Sequence, residues 1–485
     1  MTEREIQFKQ ETHYLEKLFQ IVISLILAVY LIANAIVWHK QILYKPFILM
    51  IGVSCFWIYF LFSLSKRIHS KAIAITTLAL SSLSIMLLWN HFYVPLPQSD
   101  YEVIWNGAHQ ILDGTFYRRA ADLSDYFCFY SFQIPYVYWI SLLLRIHDSL
   151  LTIKIAEIIC ITLTDIVLFE ILLCNSSIGE SWFGASLFAS FPFIVIGSGI
   201  INNQHIGLLL GAVALLVVMK AKKTIHYVLA AVVLGVGNLL RPTIFIIFTS
   251  ILIVLFVQCI KKRKSVLILC IFAIAFFAVN YIADYLFTKL LLAPYGIKGK
   301  DYLFKFLLGL TGSGVTRMPT TDAEHTSLYY DLQFFGFDYS AYKAACRAYL
   351  FSLFKNKEIN VDFIYKKIVR FMTAVDNQFR YGDLTFNEEH VALMECLNFG
   401  GISLYISTIL FSLINIIKTK KLFADKIFYA SIIFCVSFGI HILIEVQTRY
   451  RYEQYFCLFV LATPQLSKFL SRDNHLYRKK MTMRT

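Results

Sequence analysis

Asp100 and Glu102 sit in VPLPQSDYEVIWNGAHQ (residues 94–110), directly after an apolar run that ends near Trp89. A carboxylate at such a boundary can take a proton from a hydroxyl as a general base. It can also be mechanical: Asp100 reads equally as an Asx turn or as the N-cap of the helix YEVIWNGAHQIL. Glu102, two residues on, shares the face of Asp100 in a strand but not in a helix. Three arginines supply the opposite charge: Arg241 ahead of Pro242, and Arg449 and Arg451 in QTRYRYEQY. The planar, permanently charged guanidinium suits phosphate oxygens, although an arginine among tyrosines also serves as an interfacial anchor. On one helix Arg449 and Arg451 diverge by about 200°. One of the pair is therefore expected to face a given ligand, and Arg449 ranks first. Asn203, Gln204 and His205 form a polar group at the start of an apolar run, with Gln133 and Glu445 as further polar candidates. For His205 the plain alternative is a ring that satisfies a neighbour at a helix start.

These residues are embedded in a chain of 485 residues that is 58% hydrophobic, 16% charged and has a mean hydropathy of +0.63. Such a composition excludes an ordinary soluble enzyme and points to a polytopic membrane protein. The net charge of +14 does not indicate nucleic acid, because the basic residues fall in short runs such as KKRK (261–264) between apolar segments, as cytoplasmic loops do. Most of the ten cysteines lie in apolar runs, where cysteine behaves as a small hydrophobe. Cys128, Cys346 and Cys396 fall outside the expected spans, and no CxxC or Cys/His metal spacing occurs. The polar start MTEREIQFKQETHYLEK is too long and too acidic for a cleavable signal, so the first span is read as an anchor.

Apolar length and loop charge predict an all-α bundle of about twelve spans, near residues 20–38, 44–63, 71–89, 150–173, 181–200, 205–219, 225–240, 242–259, 265–283, 401–417, 426–444 and 453–468. With both termini cytoplasmic, every strongly basic loop falls inside, provided that IPYVYWISLLLRI (134–146) is an interfacial or re-entrant segment and not a span. The expected organisation is a cytoplasmic start with three spans (1–89), a first outer loop (90–149), a membrane core (150–283), a large outer helical region (284–400), C-terminal spans (401–468) and a basic cytoplasmic tail (469–485). Amphipathic segments at 339–356 and 361–375 give the large outer region its helices. All the polar candidates then lie at the outer ends of the helices. Lys154, Glu157, Asp165 and Glu170 form a separate group within one span. Lys154 and Glu157 are spaced to pair at i,i+3, and the group reads as structural, with proton relay as the alternative.

The order of these blocks resembles the GT-C superfamily of membrane glycosyltransferases, which includes the protein O-mannosyltransferases and the bacterial aminoarabinose transferases. The similar features are PLPQSD closing on Asp100, the loop helix with Trp105 and Ala108, the aromatic segment DYFCFYSFQIPYVYWISLLLRI, GNLLRPT (237–243), LIEVQTRYRY (443–452) and the glycine-containing stretch LLGLTGSGVTRMPTTDAEHT (307–326). The resemblance implies transfer of a sugar from a polyprenyl-phosphate carrier to a cell-surface acceptor (a glycan, teichoic acid or protein) at the outer face of the membrane. Under it Asp100 is the base with Glu102 beside it; Arg241, Arg449 and Arg451 hold the donor phosphate; and Asn203, Gln204, His205, Gln133 and Glu445 contact substrate. Relatives often carry an acidic residue where this chain has Asn203, Gln204 and His205, which leaves any divalent metal undetermined. No GxGxxG or P-loop is present for a nucleotide donor. The implied partners are the lipid-linked sugar, the acceptor and membrane lipid, with no nucleic acid. The competing classes are a polysaccharide polymerase or ligase and a lipid-linked sugar flippase; a transporter would place its polar groups near the midplane in two related halves.

Overall fold

The apolar runs fold as helices throughout. The computed structural model describes residues 3–39, 44–93, 96–122, 125–261, 264–297, 306, 309–310, 338–356, 359–373, 388–424, 427–444 and 448–482, and no strand occurs among them. Three long helices open the chain: α1 (Glu3–Trp38), α2 (Lys45–Ser65) and α3 (Lys71–Phe92). The first interhelical region holds α4 (Asp100–Leu112), α5 (Phe116–Ala121), α6 (Tyr126–Phe129), a 3-10 turn at Ser131–Gln133 and α7 (Ile134–Leu144). The central bundle follows with α8 (Leu150–Leu172), α9 (Ile178–Ala189), α10 (Pro192–Gly197), α11 (Asn203–Met219), α12 (Thr224–Leu240), α13 (Ile244–Ile260) and α14 (Val266–Lys289). Then come α15 (Tyr339–Lys355), the amphipathic α16 (Val361–Thr373), α17 (Glu388–Lys418), α18 (Ile427–Leu443) and α19 (Tyr452–Thr482). The stretch 307–326 lies almost wholly outside the described residues.

Among the described residues five helices are long and apolar enough to cross a membrane: Glu11–Trp38, Lys45–Ser65, Lys71–Phe92, Val266–Lys289 and Ala392–Lys418. The apolar helices α11, α12, α13 and α18 have 17 residues each, a rise of about 25 Å at the lower limit of a span. Large apolar side chains such as Leu25, Phe56, Leu80, Ile274 and Phe277 face outwards from these helices. This is the surface of a multi-pass membrane protein.

Two departures from the sequence expectation have local causes. The run expected to form one span at 181–200 breaks into α9 and α10, because Pro192 has no N–H to continue the helix and instead opens the next one. Lys154 and Glu157 are within electrostatic range but form no hydrogen bond: Glu157 is taken by other groups, and the Lys154 ammonium has no hydrogen-bond partner among the described residues. The deeper carboxylate in the same helix, Asp165, does find one, accepting a 2.6 Å hydrogen bond from Ser82, which also contacts Thr162 at 3.1 Å. Segment 134–146 forms the eleven-residue α7, too short to span, with Ile134, Tyr136, Val137 and Ile140 all buried against neighbouring helices.

Two further polar clusters lie at opposite ends of the bundle. At one end Glu170 is bracketed by Lys71 at 2.5 Å and Lys220 at 2.7 Å, Glu16 accepts from the amide of Phe423, and Lys261 lies over the Phe423 ring at 4.4 Å. The loops read as cytoplasmic from their charge thus share one pole. The opposite pole holds Gln133, Asn203 and Arg241 in direct contact.

Between the poles the helices approach closely through small residues, since packing and not water exclusion holds helices together in lipid. Gly184 is one such point: a Cβ there would lie 2.3 Å from Oγ1 of Thr463 and 2.8 Å from Leu172. Gly184→Val is expected to lower the melting temperature of the detergent-purified protein, as overpacking costs about 1–3 kcal/mol. Gly52→Ala, where a Cβ meets nothing within 4 Å, should leave it unchanged or slightly raised.

Candidate functional site

The site is built on the first turn of α11. Asn202 caps that helix, its side-chain oxygen accepting from the amide of Gln204 at 3.0 Å. Asn203, the first helical residue, donates through Nδ2 to Oε1 of Gln133 and to the carbonyl of Leu240, both at 3.1 Å. Its own Oδ1 accepts from Nη1 of Arg241 at 3.1 Å. Leu240 ends α12 and Arg241 is its C-cap, so one amide side chain ties the 3-10 turn at Gln133, the start of α11 and the α12–α13 turn together. Gly207 allows this closeness, since a Cβ there would come within 2.7 Å of the Arg241 Cβ.

Arg241 is 7% exposed, and its guanidinium lies 5.0 Å from the centre of the Tyr450 ring, a cation–π contact in a desolvated setting. It is within electrostatic range of Glu453, whose Oε1 accepts from Thr243 at 2.6 Å. Arg451 is placed differently. It is 1% exposed, its guanidinium lies 5.5 Å from the Tyr405 ring and 5.4 Å from the Tyr455 ring, and Nη1 donates to the carbonyl of Met372 at 3.3 Å. Arg451 braces α16, α17 and α19. Glu445 and the side chain of Arg449 lie outside the described residues.

Glu157 is the residue whose part the sequence concealed. From the third turn of α8 its carboxylate accepts from Tyr136 at 2.6 Å, from the backbone amide of Asn202 at 2.6 Å and from Nδ1 of His205 at 3.1 Å. The three donors come from α7, the α10–α11 turn and α11. Its partners lie 21 to 48 residues away, beyond any local spacing rule, whereas Lys154 offered a nearby and misleading one. Glu453 and Tyr136 were equally invisible as members of the group; only their polarity next to apolar neighbours marked them.

The acidic loop leans on this group through α7. Asp100 opens α4, so it is the first helical residue and not the N-cap, which is Ser99 at φ 56° and ψ −130°. This strained conformation for a residue with a Cβ directly precedes the carboxylate. Asp100 is half-buried, whereas Glu102 is exposed and points away, as expected for two residues two apart on a helix. Tyr101 is 3% exposed and within electrostatic range of Tyr136. Ala108 is fully buried, and Gly107 packs against Phe127 and Val137. At the root of the loop, Trp89 and Tyr93 of α3 pack on Gly199, four residues ahead of Asn203. Among the described residues no group of three or more His, Cys, Asp or Glu side chains is placed to hold a metal ion.

No family model matches this sequence, and no curated protein matches it either. Among solved structures it is similar to the archaeal oligosaccharyltransferase AglB from Archaeoglobus fulgidus, in complex with an inhibitory peptide and a dolichol-phosphate. The TM-score is 0.46 at 15% identity, over 84% of this chain and 51% of that one. The chain thus spans about half the length of that protein.

The far end of α4 has its own fixture. His109 has Nδ1 at 3.0 Å from the Trp105 carbonyl and Nε2 at 2.9 Å from Asp148, two acceptors that only an imidazolium meets at once. Burial works against that charge, but the bonds to Trp105 and Asp148 outweigh it and hold the His109 pKa above its ordinary value. A raised folded pKa means that the contact stabilises fully below about pH 6.5 and is lost as pH rises through the higher folded value. Melting temperatures measured across this range should fall with rising pH more in wild type than in Asp148→Asn, by a small margin because the pair is partly exposed.

Proposed function

We propose that the chain is a GT-C-type membrane glycosyltransferase that moves a sugar from a polyprenyl-phosphate carrier to an acceptor on the outer face of the membrane. The observation that carries this reading is Arg241: a guanidinium at one pole of an apolar bundle, held by the neutral amide of Asn203 and the face of Tyr450. A charge in such a position is costly and is kept where it serves a pathway or a ligand. A lipid phosphate suits it, because its polyprenyl chain lies in the apolar surroundings while its headgroup meets the fixed cation.

In this reading Asp100 removes the proton of the acceptor hydroxyl as that oxygen attacks the anomeric carbon. The bond to the carrier phosphate breaks, and the phosphate leaves with the electron pair, stabilised by Arg241 together with Arg449. Asn203 and Gln133 fix the direction of the Arg241 fork. Glu102, exposed and turned away, has no part in the proton transfer. The basic pole around Lys71, Lys220 and Lys261 faces the cytoplasm and the Arg241 pole faces outwards, following the positive-inside rule. The acceptor is a cell-surface glycan, teichoic acid or protein.

The test is transfer in membranes from labelled polyprenyl-phosphate sugars at matched protein levels. Asp100→Asn should reduce turnover by about 10²–10⁴-fold with the protein still inserted. Arg241→Gln should abolish transfer, and Arg241→Lys should restore only part of it, because an ammonium lacks the two-pronged fork. Full activity of Asp100→Asn would return that residue to a helix-start role. Absence of transfer by wild type from every such donor would favour a polymerase, ligase or flippase.

A further inference from the structure

His205 and Glu157 form a pair that the transferase chemistry leaves unused. Nδ1 of His205 faces Oε2 of Glu157 at 3.1 Å, while Tyr136 and the amide of Asn202 occupy Oε1. All three groups act as donors, which an acceptor-only carboxylate satisfies. A neutral ring donating to that carboxylate carries its proton on Nδ1 and leaves a lone pair on Nε2. That nitrogen is buried in a side chain only 2% exposed and has no hydrogen-bond partner among the described residues. The ring is held in place by Tyr452, stacked on it at 5.6 Å and 28°.

The adjacent residue repeats the pattern. Gln204 is 2% exposed, and both its Oε1 and its Nε2 are buried without a partner among the described residues. Buried polar atoms in folded proteins are nearly always paired, so three unmet atoms on the first turn of α11 call for a ligand. They comprise two acceptors and one donor group. Phosphate oxygens, which only accept, would leave both acceptors unmet, whereas hydroxyls donate and accept together. The chemical class that fits is a polyhydroxylated, uncharged group.

We infer that Nε2 of His205 accepts a hydrogen bond from a hydroxyl of the lipid-linked sugar, with Gln204 beside it, and that Glu157 is a positioning residue that fixes the His205 tautomer. This rests on the transferase reading for the identity of the ligand. Glu157→Gln keeps the shape of the side chain but places an amide donor opposite Nδ1, which moves the ring proton to Nε2 and turns the acceptor into a donor.

The experiment uses the full-length protein in lipid nanodiscs with 15N-labelled histidine, the His205 signals being assigned by their loss in His205→Gln. The probes are polyprenyl phosphates carrying a hexose, an N-acetylhexosamine or a pentose, with sugar-free polyprenyl phosphate as comparator. The expected result is an unprotonated Nε2 in the free protein that shifts on addition of a sugar-bearing lipid and not with the sugar-free one. Glu157→Gln should show Nε2 protonated and bind the responsive lipid about tenfold more weakly, the scale of one lost hydrogen bond. A protonated Nε2 at rest, no shift with any of the sugars, or the same shift with sugar-free lipid would overturn the inference. If Glu157→Gln fails to fold, the wild-type signals alone decide. Binding needs no turnover, so an Nε2 that responds in a protein without transfer activity would refute the transferase reading while upholding the contact.

Discussion

A buried carboxylate organises the polar pole of this bundle. Glu157 is 6% exposed, in surroundings where an ionised group is costly unless donors meet it. Three donors do so, and each belongs to a different segment: α7, the α10–α11 turn and α11 itself. The demand of one side chain thereby seats α7 on the bundle, fixes the start of α11 and orients His205. Asn203 then carries the order onwards to Gln133 and Arg241. Removing one partner from such a group leaves the others buried without compensation, so the group acts as a unit and not as a sum of pairs.

The acidic loop depends on that unit at one remove. Asp100 is carried by α4, which packs on α7 through Gly107 and Ala108, and α7 is in turn held by the Tyr136 hydroxyl on Glu157. The loop has a second root in Trp89 and Tyr93 of α3 against Gly199. A half-buried carboxylate placed in this way inherits its position from aromatic packing and one short hydrogen bond, with Ser99 absorbing the strain of the tight entry into the helix.

Much of this was legible in the sequence, for identifiable reasons. Loop charge and apolar length placed Gln133, Asn203 and Arg241 at one pole and Lys71, Lys220 and Lys261 at the other, because the cost of charge in lipid forces that separation. The same reasoning marked residues 134–146 as too short to span, and α7 has eleven residues. Pairing was harder to read. Lys154 at i−3 looked like the natural partner of Glu157, and no local rule reveals a contact to His205 across 48 residues. Asp165 finds Ser82 on another helix, a contact that only tertiary packing creates. The break at Pro192 was hidden by the unbroken hydrophobicity around it, and of the two rings that flank Arg451, Tyr455 lies in its own stretch whereas Tyr405 comes from the distant α17.

Helix α8 is fastened to α11 near both of its ends: Glu157 meets Asn202 and His205 at one, and Glu170 meets Lys220 at the other. The two carboxylates are thirteen residues apart on α8 and their partners fifteen apart on α11, lengths of about 20 Å and 22 Å. Two parallel rods pinned at matched intervals cannot slide past one another without releasing both pins. The pair therefore has a fixed gauge, and a single residue inserted between the two pins of α8 would turn one carboxylate by about 100° out of line with its counterpart. Insertions are accordingly better tolerated in the loops outside this interval than between the pins.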